Sequence, residues 1–167
     1  MPPCDCGADP EFEFEDLGEL VRKARIDFGA TIHEFTPSDI AAYVPQQIHN
    51  RVGSLEELIS VASTGSGPPK SPKHVTMFWI RFADNPDQKC VMLYMKATVG
   101  VDSPVDVQNY HTKHPEFPHE ATADQFFDET QWESYRRLGE LLSADLVNAR
   151  DNNGNPARHW FWQIPVS

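Results

Sequence analysis

A chain of 167 residues, 40% of them apolar, is long enough to bury a core without staples, and one domain is the default at that length. Its 14 basic residues against 25 acidic ones leave a formal charge of −11, which repels a phosphate backbone and argues against nucleic acid as a partner. No run approaches the roughly 20 apolar residues of a membrane span, "MPPCDCGADP" lacks the basic start and apolar centre of a signal peptide, and three cysteines do not make a disulfide framework. The expectation is a cytoplasmic chain with reduced thiols.

At the front, "CDCGADP" reads as the tail of a strand running into turn residues. "FEDLGELVRKARIDFG" then sets Leu17, Leu20, Val21, Ala24 and Phe28 at helical spacing, with Asp16 near the start and Gly29 where a C-cap glycine belongs. "ATIHEF" alternates Ile32 against His33 and predicts a strand that Pro37 stops. In "SLEELISVA", Ser54 and Glu57 form a capping box, each side chain satisfying a backbone N–H of the other, so a second helix starts there. The glycine, serine and proline of "STGSGPPKSPK" propagate neither helix nor strand, which predicts a flexible loop over residues 63–73.

"HVTMFWIRFA" and "KCVMLYMKATV" are rich in β-branched and aromatic residues and flank "DNPDQ", a hairpin loop by length and composition. Around Phe78, Trp79, Leu93 and Tyr94 both faces are apolar, which suits a sheet covered on at least one side by helices. "SPVDVQNYHTKH" predicts a short helix with Ser103 as cap and Pro104 at the first helical position. From Asp128 the longest helix carries Trp132, Tyr135, Leu138 and Leu142 on one face, with acids at its dipole-favoured N-terminal turn. "RHWFWQIPV" alternates Trp160, Trp162 and Ile164 with His159 and Phe161 as a last strand would. The expected fold is α/β or α+β: a small mixed sheet with an antiparallel hairpin over residues 74–99, flanked by three to four helices.

The stretch "HPEFPHEATADQFFDETQWESYRRLGELL" concentrates chemistry-bearing residues. His111, His114, His119, Glu120 and Asp124 are ligand-type residues at short spacings, and three imidazoles plus a carboxylate could hold zinc with a water position open. The spacing matches no standard zinc motif, and Pro115 and Pro118 put His114 and His119 in an irregular loop, where capping is the competing use. Cys4 and Cys6 share a strand face and Cys90 stands apart, a pattern better explained by small buried residues than by a metal site. His33 with Glu34 beside Asp27 has the composition of a general-base pair, against the commoner structural role of a strand histidine. No GxSxG nucleophile turn occurs; "STGSGPP" lacks the flanking strand and helix that would activate Ser63 or Ser66.

Two long segments carry a resemblance. "CDCGADPEFEFEDLGELVRKARIDFGATI" and "LYMKATVGVDSPVDVQNYHTKHPEFPHEATADQFFDETQWESYRRLG" resemble, in the same order, the C-terminal part of large bacterial patatin-like phospholipase proteins. That family's catalytic serine in GxSxG and aspartate in DGG or DGA fall in segments that would precede Met1, and Asp5 of "CDC" is not the position of that aspartate. The resemblance therefore implies the C-terminal flank of a lipid acyl hydrolase without its dyad: an accessory region, needing no cofactor. Its "CDC" strand would belong to a larger parallel sheet, leaving an open edge and predicting a homodimer. The alternative is an autonomous hydrolase of lipid or small ester, or phosphoester, substrates. Its metal candidates are His111, His114, His119 and Asp124, its catalytic candidates Glu120, His33 and Asp27, and its metal zinc or manganese.

Overall fold

The computed structural model describes residues 9, 13–59, 73–85, 87–100, 102–120, 126–150, 160 and 164. Helix α1 (Glu15–Phe28) ends at Gly29, whose φ of 58° provides the left-handed turn into strand β1 (Ala30–Glu34). Helix α2 (Pro37–Tyr43) follows, then a 3-10 turn (Gln46–Ile48) and the short helix α3 (Leu55–Ile59). Strands β2 (Val75–Phe82) and β3 (Lys89–Met95) form the expected hairpin, and helices α4 (Val105–Lys113) and α5 (Glu129–Val147) close the described chain.

The sheet has the order β1-β2-β3 and is antiparallel at both pairings, with Phe78 opposite Glu34 on one side and Met92 on the other. A mixed sheet was the expectation; the parallel component among the described residues is the single Val52–Val75 bridge. The mixed α/β class holds, and among the described residues the sheet is flanked by five helices, α2 being the one added to the expected set. Its signal was present in "TPSD": Thr36 Oγ1 accepts from Asp39 N–H at 3.2 Å while Asp39 Oδ2 accepts from Thr36 N–H at 2.8 Å. The Ser54–Glu57 box forms as expected, with N–H to oxygen distances of 2.9 and 3.2 Å.

Val75, Thr76, Met77, Phe78 and Trp79 are consecutively buried, so both faces of the central strand are covered. Met77 and Trp79 pack with Phe35, Val44, Ile48, Val52, Leu146 and Trp160 on one face. On the other, Phe78, Met92 and Tyr94 meet Phe14, Leu17 and Leu58 from α1 and α3. A third cluster joins α4 to α5 through Val107, Tyr110, Phe117, Leu138 and Leu142.

Four details differ from expectation. Ser103 does not cap α4: Pro104 occupies the N-cap, and the Ser103 hydroxyl accepts from Gly100 N–H at 3.0 Å, bracing the preceding loop. Trp132 is 65% exposed because the buried stripe of α5 runs through Leu138, Leu142 and Leu146, while Phe28 at the end of α1 is 70% exposed. At Trp160 the backbone is a 3-10 turn rather than a strand, and both it and Ile164 are buried as the alternation required; the remaining residues of the expected last strand, His159, Phe161 and Trp162 included, lie outside the described residues. The "CDC" strand, Cys4, Cys6 and the loop 63–73 other than Lys73 lie outside the described residues, and Cys90 is a half-buried free thiol.

Two glycines of α1 give opposite expectations. Gly29→Ala combines positive φ with a Cβ 3.3 Å from Ala83 Cβ and is expected to cost about 1–2 kcal/mol. Gly18 has open space around its Cβ position within the helix, so Gly18→Ala is expected to stabilise by about 0.5–1 kcal/mol. Urea midpoints of the two variants, displaced in opposite directions from the parent, check both.

Candidate functional site

The histidine-rich stretch folds from the end of α4 outward. Four residues apart and therefore on one helix face, Tyr110 and His114 stack with ring centroids 4.2 Å apart, so the last turn of α4 ends under an aromatic lid. Beyond it the chain turns through Pro115 and a cis Phe117–Pro118 peptide. Phe117 is driven into the α4–α5 cluster, edge-on to Tyr110 at 5.1 Å and to Tyr135 at 4.8 Å. His111 Nδ1–H donates to Phe117 carbonyl at 2.7 Å, which pins this turn to the helix and sets the imidazole tautomer.

Glu120 sits half-buried at the mouth of the same cluster and gathers donors. Tyr110 hydroxyl reaches one carboxylate oxygen at 3.2 Å and the Gln131 amide reaches the other at 3.0 Å, while Tyr135 hydroxyl also bonds the group. Burial, then the Glu120 charge, pushes the Tyr110 phenol up to about 12, and burial with the Glu120 bond raises Tyr135 further. Both phenols thus stay protonated and donate near neutral pH.

A second polar group lies where β3 runs out. Lys96, only 4% exposed, places Nζ 2.5 Å from Asp9 Oδ2 and 5.6 Å from the Phe14 ring. The Asp9 carboxylate also accepts from Glu13 N–H at 3.0 Å and Phe14 N–H at 3.1 Å, holding the left-handed Phe14 that starts α1. Burial raises the Asp9 carboxyl, but the Lys96 bond and charge with the two N–H donors outweigh it and leave the group below its ordinary range. Asp9 N–H in turn donates to His119 Nδ1 at 3.4 Å. Burial, aided by the Lys96 charge, drives His119 down to about 4, so the ring is neutral at pH 7 and serves as an acceptor. Three segments distant in sequence are thereby tied at one point.

These contacts separate the expected site residues. His111 faces Phe117, His114 stacks on Tyr110, His119 faces Asp9, and Glu120 faces the tyrosines. Among the described residues no three His, Cys, Asp or Glu side chains come together as a metal requires; Asp124 lies outside them. His33 is exposed on β1 opposite Trp79, Asp27 is exposed in the last turn of α1, and Glu34 accepts Leu55 N–H at 2.5 Å as a brace for α3. The cavity between Arg51, His74, Thr98, Asp102 and Leu142 is about the size of one water. No described helix is long and apolar enough to cross a membrane.

Sequence reasoning missed Lys96 and Asp9. A lysine directly after the apolar "VMLYM" was the available signal, since a charge at the end of a covered strand needs a nearby counter-charge. The chain matches no protein-family model, no curated protein and no solved structure.

Two expectations follow from the Asp9–Lys96–His119 group. Asp9→Asn removes the carboxylate charge from a buried ammonium and is expected to cost about 3–5 kcal/mol; Lys96→Met leaves a half-buried carboxylate still held by two N–H groups and costs less. Chemical denaturation of both variants checks the order. Because the folded His119 value is depressed from 6.5 to about 4, the unfolded chain binds more protons between those values, so stability falls as pH is lowered through that window. His119→Gln, which does not titrate, should flatten that part of the stability profile; an unchanged slope would assign it to other groups.

Proposed function

We propose that this chain is a non-catalytic accessory region of the bacterial patatin-like type, the C-terminal flank of a lipid acyl hydrolase without its serine–aspartate dyad. The observation that carries this reading is the use made of the histidine-rich stretch. His111, His114, Phe117 and Glu120 each contact an α4 or α5 side chain, or the turn between those helices, and together hold the third core cluster. A stretch dense in histidine, proline, aromatic and acidic residues is thus accounted for as a packing signature. The proposed setting is the bacterial cytoplasm, and the proposed mode of action is association, as a homodimer, with lipid or ester chemistry left to hydrolase segments outside this chain.

Elemental analysis of the purified protein, with ester and phosphoester hydrolysis followed before and after chelation, tests the proposal. The expected result is no stoichiometric metal and no chelator-sensitive turnover. Glu120→Gln is expected to lower stability by about 1.5–3 kcal/mol, the range for hydrogen bonds to a charged group, and to change no reaction rate. Bound zinc or manganese with turnover that disappears in Glu120→Gln would replace the proposal with a metal-dependent hydrolase.

A further inference from the structure

Strand β3 lies at one edge of the sheet and, among the described residues, pairs on one side only, with β2. The direction of its backbone groups follows from the ladder. Met77 carbonyl turns toward β1 and accepts Phe35 N–H at 2.8 Å, whereas His74 carbonyl turns the other way and accepts Lys96 N–H at 2.8 Å. Backbone groups alternate sides along a strand, so residues 90, 92 and 94 point into the β2 ladder and Lys89, Val91, Leu93 and Met95 point outward.

Among the described residues this edge lacks the usual protection against pairing. "KCVMLYM" has no proline, no glycine and no acid, and its one charged side chain is turned inward, with Lys89 Nζ 4.5 Å over the Trp79 ring. The opposite edge, β1, is shorter and carries His33 and Glu34. Its own sequence also fits β3 for antiparallel pairing with itself. Centred on Met92, such a pairing sets Val91 opposite Leu93 and Lys89 opposite Met95, so outward N–H and C=O groups meet outward groups, and the two Lys89 ammonium groups lie at opposite ends. Faces match as well: Met92 and Tyr94 continue the α1-side layer, while Val91 and Leu93 continue the Trp79 side. A one-residue slip would bring inward-bonded residues to the interface and reverse the two faces.

We infer that a second copy of this chain occupies the β3 edge, pairing antiparallel about a two-fold axis at Met92 and joining the two three-stranded sheets into one continuous sheet. This deepens the accessory-region reading by naming the surface through which the chain associates. The charge of −11 on each copy opposes association over the remaining surface, so the dimer tightens as salt is raised.

Sedimentation equilibrium over a micromolar concentration series at low and raised salt tests the inference on the full chain. The parent protein is expected to dimerise, more tightly at raised salt. Leu93→Pro removes an outward N–H from each copy and leaves the β2 ladder whole, so it should weaken the dimer about 100-fold with an unchanged circular dichroism spectrum. Val91→Lys, which adds a guarding charge without restricting the backbone, should do the same and covers the case in which the proline variant fails to fold. With Cys4, Cys6 and Cys90 changed to serine, Met92→Cys should form an intermolecular disulfide, since a central non-hydrogen-bonded pair brings Cα atoms to about 4.5 Å. A parent that stays monomeric across the series, or a dimer equally tight in the folded variants, would overturn this surface. Both outcomes leave the absence of turnover, and with it the accessory reading, to stand or fall on the hydrolysis assay.

Discussion

Five consecutive residues of β2, from Val75 to Trp79, are buried, and this constraint organises the rest of the chain. Side chains alternate across a strand, so a run buried throughout demands apolar cover on both faces. Neither cover is large. On one face α1 and α3 supply Leu17 and Leu58; on the other, a helix, a 3-10 turn, the end of α5 and the aromatic Trp160 share the work. Each covering element is short or only partly buried and gains most of its stability from the strand beneath it, as short helices in water must.

Caps and charged ties hold these short elements in place. The Thr36–Asp39 and Ser54–Glu57 boxes satisfy the first turns of α2 and α3, and Glu34 at the end of β1 braces α3 from the sheet. At the far end of β3, Lys96 draws Asp9 and the start of α1 onto the strand, while His119 brings in the loop after α4. Burying an ammonium is costly unless a carboxylate and good geometry compensate, so losing either partner costs more than the intact pair contributes to net stability. Glu120 plays the corresponding part between α4 and α5, with two phenols and an amide in place of a cation.

What could be read from the sequence divides along the range of the interactions involved. The hairpin, α1 with its Gly29 cap, the Ser54 box and the Asp128 start of α5 rest on neighbours within a few residues, and each forms where the local pattern places it. The α2 helix is equally local, but a proline after a strand pattern serves equally as a strand stop and as the first residue of a helix, and here Pro37 does both. Ser103 departs from its expected capping role because a hydroxyl before proline serves either a helix or a loop, and Gly100 N–H takes it. Trp132 shares the period of the buried stripe, yet helical periodicity alone does not say how far toward its N-terminus a helix is covered.

The candidate site shows the same division more sharply. Composition and short spacing mark His111, His114, His119, Glu120 and Asp124 as ligand-type residues, and the four of them that the structure describes turn to different partners. By itself, then, the sequence determined the apolar hairpin, the capped helices and the place where polar side chains concentrate, because each depends on contacts a turn or a strand pair away. Only the tertiary structure decided what those polar groups do. Phe117 entering the α4–α5 core turns His111 and Glu120 toward different partners, and Asp9 reaches Lys96 across 87 positions of chain. No spacing rule encodes a contact whose cost and reward are settled only when three separate segments pack together.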